Sequence, residues 1–394
     1  MSETALPRAV AARSGEWTAD PGLGVYVHIP FCRHRCHYCD FNTYEGQDSI
    51  HEAYVDALVR HIELEGSGHG PATSVFFGGG TPTLLPPAHL ARVLGAIRDR
   101  VGVAPYAEIT VEANPETVDE ESFAALLVAG FNRVSIGVQS LVPHVLLGLG
   151  RTHSPDNALA AITAARRAGF EDVNADLIYG SQWESTEDWR RSLDGIIAAG
   201  PDHISAYALT IESGTPLATL VSTGRIPDVD PDIQAERHST ASEVLGAAGY
   251  RRYEVSNWAR PGRASRHNVL YWSAGNYLGF GAGAHAHIDG GRSWSVRLPR
   301  EFIARVTGGE SVAAGGESLD DDARAGEALM LGLRLASGID LDGFTARFGP
   351  AAMAARRPEI ERLEARGLLT RASGRLRIPE EHTLVANEVA AAIL

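Results

Sequence analysis

Between residues 25 and 211 one pattern recurs six times: a short run rich in β-branched and aromatic residues, then a longer stretch with helical spacing of apolar residues. The runs are "VYVHIPF" (25 to 31), "SVFFGGG" (74 to 80), "EITVEANP" (108 to 115), "RVSIGVQS" (133 to 140), "DVNADLIYG" (172 to 180) and "HISAYALTI" (203 to 211). Helical candidates at 50–64, 88–100, 119–129, 156–168 and 185–198 separate them. Strands joined through helices run parallel, so the pattern predicts an α/β fold of repeated β/α units. Six units make either an incomplete (β/α)6 TIM-like barrel or an open curved sheet, and periodicity leaves both open.

Most of these strands end in polar residues or glycine, at the edge where parallel β/α folds assemble their sites. The loop after the first strand holds all three cysteines of the 394-residue chain, Cys32, Cys36 and Cys39. An odd number of thiols at such short spacing is a poor disulfide framework and a better metal-binding loop, which favours a reducing cytoplasm. The net charge of -14 disfavours nucleic acid as a partner, and neither an eighteen-residue apolar run nor a secretory signal is apparent. A cytoplasmic location is the expectation.

Three structural thiols would sit poorly in a loop as charged as "RHRCHY". A Cys3His zinc site is open to the sequence, because His28, His34 and His37 are close by. An iron–sulfur cluster is the third reading: four irons held by three thiolates leave one iron for a small ligand.

Beyond residue 212 the rhythm changes. A helix is predicted over 231–248. Residues 261–317 read as irregular, with a Gly-rich, acidic linker at 308–322. Helices at 323–336, 341–348 and 350–366, a hairpin turning at Ser373-Gly374 and a last helix from about 380 predict a small winged-helix-like domain over 318–394. Residues 1–21 read as a flexible extension ahead of a core spanning 22–260.

The CxxxCxxC loop with Tyr38 before its last cysteine resembles that of the radical S-adenosylmethionine (SAM) superfamily. The resemblance implies an incomplete barrel, a 4Fe-4S cluster on Cys32, Cys36 and Cys39, and SAM chelating the open iron. "FFGGGTPTLL" resembles the loop that receives the methionyl amino group. "VEANP", "GVQS", "LGRTHS" and "NADLIYG" follow in the order of the coproporphyrinogen oxidase-like branch. By that matching Tyr26, Tyr38, Gly79, Gly80, Thr81, Glu112, Gln139, Arg151, Asp176 and Ala208 are the implied SAM contacts, some belonging to a second SAM.

The resemblance runs over about residues 24–394 and is nearest to the HemW-type haem chaperones. "HNVLYW" (267 to 272) fits the HNxxYW element associated with haem there, which makes His267 the implied iron ligand and Tyr271 and Trp272 the porphyrin-packing rings. His285 and His287 in "GAHAH" are further imidazoles near glycines, open as alternative ligands or as loop caps, with His267 the first choice. The branch's oxidase continues as CxxxCxxCxC, whereas this chain has Cys39-Asp40-Phe41, and "YGSQWES" and "ANPET" depart from the usual YGLPGQ-like and ANPGT runs. Residue 41 thus favours a haem chaperone over an oxygen-independent coproporphyrinogen III oxidase, with a zinc-binding structural module the remote alternative. The implied partners are haem, acceptor haemoproteins (membrane-associated ones included) and an electron donor to the cluster.

Overall fold

A computed structural model describes residues 15–394. Six parallel strands form its centre: β1 (Leu23–Ile29), β2 (Ala72–Gly79), β3 (Val103–Ala113), β4 (Arg133–Gln139), β5 (Asp172–Tyr179) and β6 (His203–Ala208). They lie side by side in chain order, with Tyr26 opposite Phe76, Phe76 opposite Thr110, Ser135 opposite Asn174 and Asp176 opposite Ser205.

The intervening helices are α1 (His51–Glu65), α2 (Pro87–Arg100), α3 (Glu120–Ala129), α4 (Pro143–Gly148), α5 (Pro155–Ala168) and α6 (Thr186–Ala199). Local chemistry sets the ends of three of them. Asp119 with Ser122, Ser154 with Asn157, and Ser185 with Asp188 form reciprocal capping boxes at the starts of α3, α5 and α6. Each such cap contributes about 1 kcal/mol. The same helices stop at Gly130, Gly169 and Gly200 in the left-handed conformation. The buried faces of α1, α2, α3, α5 and α6 and the strands share one core that includes Val27, Phe77, Val111, Phe123, Val134, Leu177 and Trp189, while Val145 of α4 packs in a smaller cluster with Ile178, Leu209 and Leu217.

The structure departs from the sequence expectation over 261–317, which is largely ordered secondary structure. Past β6 the sheet gains β7 (Arg251–Arg252) and β8 (Asn257–Ala259), with β8 antiparallel to β6. On the far side β9 (Asn276–Phe280) pairs parallel to β1, followed by the antiparallel β10 (His285–Ile288), β11 (Gly291–Ser295) and β12 (Ala313–Ser318). The expected linker at 308–322 therefore contains an edge strand. Glycine disguises these strands, being a poor strand former by itself. Here it admits close approach: a Cβ on Gly279 would lie 2.0 Å from the His285 carbonyl oxygen, and one on Gly315 would lie 2.5 Å from the Trp294 ring.

The C-terminal part packs four helices, Asp321–Gly332, Leu341–Phe348, Pro350–Ala365 and Ala386–Ala391, with a small sheet ordered β13 (Ile339–Asp340), β15 (Arg375–Arg377), β14 (Thr370–Ala372). Ser373 and Gly374, both at positive φ, make the hairpin turn. Its core holds Leu329, Ile339, Phe344, Ile360 and Leu376. Of the expected extension, residues 1–14 lie outside the described residues. Trp17 is buried in this C-terminal core, and the Thr18 amide donates to Ser273.

Candidate functional site

The cysteine loop hangs from the end of β1 and is tied down at both sides. The Cys32 amide donates to the Tyr44 carbonyl at 3.0 Å, and the His37 amide donates to the Leu149 carbonyl at 3.1 Å. All three thiols are half-buried and unbonded to one another. Burial pushes the Cys32 thiol up to about 11 and raises Cys39 as well, so both stay protonated until something positive displaces their protons.

The histidines of a would-be Cys3His site have other partners. His28 uses both ring nitrogens, on the Tyr26 hydroxyl and the Asn42 carbonyl, each at 2.9 Å. His37 faces the Gly148 carbonyl, and exposed His34 lies 3.5 Å from Glu45. Among the described residues no three His, Cys, Asp or Glu side chains are grouped to hold a single metal ion.

Around the thiols the strand ends bring together most of the expected SAM contacts. Arg151, after α4, places one guanidinium nitrogen 3.4 Å from the Cys36 sulfur and donates through another to Asn114 Oδ1 (2.8 Å) and the Gly137 carbonyl (3.0 Å). Its Nε is buried without a partner among the described residues. Although burial opposes its charge, Tyr38 and Cys36 beside it hold the Arg151 pKa above its ordinary value. Asn114 also donates to the Thr81 hydroxyl at 3.0 Å, which lies 3.9 Å from the Cys32 sulfur. A chain of polar groups thus links the second, third and fourth strand ends to the cysteine loop.

The glycine run needs its glycines. A Cβ on Gly80 would meet the Phe31 and Ile29 carbonyl oxygens at 2.6 and 2.9 Å, and Gly79 sits at φ 113°. Glu112 accepts the Gly79 amide at 3.0 Å. Burial, then the neighbouring Asp176, push its carboxyl up to about 8. Asp176 itself accepts from Ser135 and Asn174. Gln139, at positive φ beside a register shift, brings its amide near Gly137, as Asn114 and Arg151 do. Ala208 ends β6 opposite Tyr179, farther round the sheet from the glycine run.

A cavity of about 600 Å3 opens beside this cluster. Tyr26, Gly79 and Glu112 line it together with Tyr271, Tyr277, His285, Trp294 and Arg297. Phe41, 64% exposed, stands at its rim. Trp294 and Arg297 were not expected from sequence; the only signal was the apolar alternation hidden in "RSWSVR".

His267 is placed otherwise than expected. Its ring is 1% exposed, does not line the cavity, and is bonded through Nδ1 to Ser74 Oγ (2.8 Å) and through Nε2 to the Tyr271 hydroxyl (2.9 Å). It stacks on Phe76, and burial lowers its pKa to about 3. Trp272 likewise packs with the C-terminal core under Arg334, away from the cavity lining.

Comparison with known proteins gives consistent matches. The family model described as the radical SAM superfamily matches residues 26–196, and that of the HemN C-terminal domain matches 319–382. "Heme chaperone HemW" of Mycobacterium tuberculosis is 43% identical over 377 residues, covering 94% of this chain and 95% of its own. The protein of the same name from Escherichia coli is 39% identical, over 72% of this chain and 76% of its own. "Radical S-adenosyl methionine domain-containing protein 1, mitochondrial" of Bos taurus is 40% identical over 78% and 67%. Coproporphyrinogen III oxidase (HemN) from Escherichia coli, described as a radical SAM enzyme, superposes with a TM-score of 0.81 at 22% identity, over all of this chain and 93% of that one.

Proposed function

Since the chain belongs to the radical SAM superfamily, in its coproporphyrinogen oxidase-like branch with the HemW proteins, we propose that it is a haem chaperone, binding haem and delivering it to acceptor haemoproteins. The observation that carries this reading is the shared cavity of about 600 Å3, which Tyr26, Gly79 and Glu112 of the expected SAM set line together with aromatic and basic side chains. That volume falls within the ~300–1,000 Å3 usual for small-molecule sites.

The donor set fits a cluster better than a lone metal ion. Three half-buried thiols share one anchored loop, while His28 has both ring nitrogens bonded and His37 and His34 each turn Nδ1 to another group. Cys32, Cys36 and Cys39 would hold a 4Fe-4S cluster, with SAM on the open iron. Bound there, the pair supplies one-electron chemistry. Gly79 and Gly80 let backbone approach the ligand, Thr81 and Asn114 set the edge of the loop, and Arg151 offers positive charge for a carboxylate beside Cys36. Glu112 and Asp176 present oxygens to hydroxyl donors. Gln139, Tyr26, Tyr38 and Ala208 complete the proposed contacts.

Phe41 separates this reading from the oxidase. An exposed phenyl ring stands where the oxidase pattern has a fourth cysteine, so the rim offers apolar surface in place of a thiol. In the cellular setting proposed, an electron donor reduces the cluster and the acceptors include membrane-associated haemoproteins. Among the described residues no helix is long and apolar enough to cross a membrane. The test is anaerobic reconstitution followed by incubation with haem and, separately, with coproporphyrinogen III, SAM and a reductant. The reading predicts stoichiometric haem binding and no protoporphyrinogen; conversion of coproporphyrinogen would overturn it.

A further inference from the structure

Four histidines lie around the cavity and the helix Arg266–Trp272, and they differ in what their nitrogens do. His28 and His267 have both ring nitrogens hydrogen-bonded inside the protein. His287 faces the Gly275 carbonyl through Nδ1 at 3.2 Å and lines a separate, smaller hollow beyond Tyr271 and Tyr277. His285 is exposed, lines the large cavity, and has no hydrogen-bond partner among the described residues.

The fold presents this one imidazole deliberately. His285 opens β10 directly opposite Trp294 of β11, and the two rings stack with centroids 5.7 Å apart and planes 28° apart. The preceding turn leaves no room for side chains: a Cβ on Gly283 would come within 2.4 Å of the Asn42 amide, and Gly283 has φ 75°. The turn is thus pinned to the residue that follows Phe41, holding the imidazole over the space next to the cysteine loop. Arg297, two residues beyond β11, lines the same cavity and makes no carboxylate pair among the described residues. Its guanidinium reaches only the Asn42 side chain, at 3.4 Å. An unbonded imidazole, a flat indole and an unpaired guanidinium on one cavity match the iron, the macrocycle and a propionate of haem respectively.

We propose that His285, and not His267, is the axial ligand to haem iron, with Trp294 packed beside the macrocycle and Arg297 receiving a propionate. The proposal rests on the haem-chaperone reading. His267 is then a positioning residue, holding Ser74 of β2 and Tyr271 together so that the cavity wall stays in place.

The test uses the full-length, cluster-reconstituted protein titrated with ferric haem, read by Soret absorbance, electron paramagnetic resonance and affinity. His285→Ala is expected to lose the histidine-ligated spectrum and at least tenfold in affinity with cluster content unchanged, and added imidazole is expected to restore the spectrum. His267→Gln, which keeps hydrogen-bonding capacity, is expected to retain the histidine-ligated spectrum. Arg297→Gln is expected to weaken binding of haem several-fold but leave binding of haem dimethyl ester unchanged. An unaltered spectrum and affinity in His285→Ala, or loss of the ligated spectrum only in His267→Gln, overturns the ligand assignment while leaving the chaperone reading intact. Absence of haem binding by the unmutated protein overturns both.

Discussion

Replacing Glu112 by glutamine sets stability against ligand binding, and the size of the stability effect follows from the geometry. The carboxylate is enclosed at the end of β3, accepts one backbone amide from Gly79, and faces a second carboxylate, Asp176. Burial first and Asp176 second raise its pKa from 4.5 to about 8, outweighing the Gly79 amide and Arg133. Below pH 4.5 the carboxyl is protonated in folded and unfolded chains alike and costs nothing. Between pH 4.5 and about 8 the unfolded chain releases the proton while the folded chain keeps it, so stability falls by about 1.4 kcal/mol per pH unit. Above that window the penalty is complete, on the order of 5 kcal/mol. Glutamine keeps a carbonyl oxygen for the Gly79 amide and never ionises. The variant and the parent should therefore unfold alike near pH 4.5, with the variant progressively more stable up to pH 8.5. Urea unfolding of the cluster-free full-length chain across that range measures the difference. SAM binding by the reconstituted protein, measured above pH 8 where Glu112 has ionised, should move the other way, weakening in Glu112→Gln because an amide accepts hydroxyl hydrogen bonds less strongly than a carboxylate. Parallel stability curves, or a variant less stable at pH 8.5, would refute the burial argument.

Other perturbations probe the same edge of the sheet. Alanine at Cys32, Cys36 or Cys39 should each abolish the brown absorbance and acid-labile sulfide after reconstitution, whereas a retained single zinc without sulfide would contradict the cluster. Gly80→Ala forces a methyl against the Phe31 and Ile29 carbonyls, 2.6 and 2.9 Å away, and should cost about 1–3 kcal/mol in thermal or chemical unfolding. Gly95→Ala on α2, with open space around its Cβ, should be neutral or stabilising by the ~1 kcal/mol helix preference for alanine. Arg151→Lys retains the charge but cannot span Cys36, Asn114 and the Gly137 carbonyl together. It should lose about 1–3 kcal/mol of stability and bind SAM at least tenfold more weakly in equilibrium dialysis.

What the sequence revealed of this fold was local. Parallel strands buried on both faces write themselves as apolar runs, and the apolar spacing places the helices at 119–129, 156–168 and 185–198 within a residue or two of their observed bounds. The cysteine loop and the glycine run are equally self-contained. What stayed hidden depended on distant partners. β9 to β12 hold their glycines because β1, Trp294 and the His285 backbone crowd them, and composition alone reads such a stretch as loop. The HNxxYW motif pointed at His267, but the groups that occupy its nitrogens include Ser74, 193 residues earlier. Conversely the sequence offers His285 and His287 of "GAHAH" equally as second choices, and His285 becomes distinctive only when the antiparallel hairpin sets it opposite Trp294 on the cavity.

The central claim is delivery of haem, and its most direct measurement is transfer. The reconstituted protein is loaded with one equivalent of haem, freed of excess, and mixed with an apo-haemoprotein whose holo form has a distinct Soret spectrum. The account predicts that the acceptor fills, that the donor empties at the same rate, and that the rate rises with acceptor concentration, as direct contact requires. Haem that stays on the donor, or that reaches the acceptor at a rate independent of acceptor concentration as simple release would give, would contradict it.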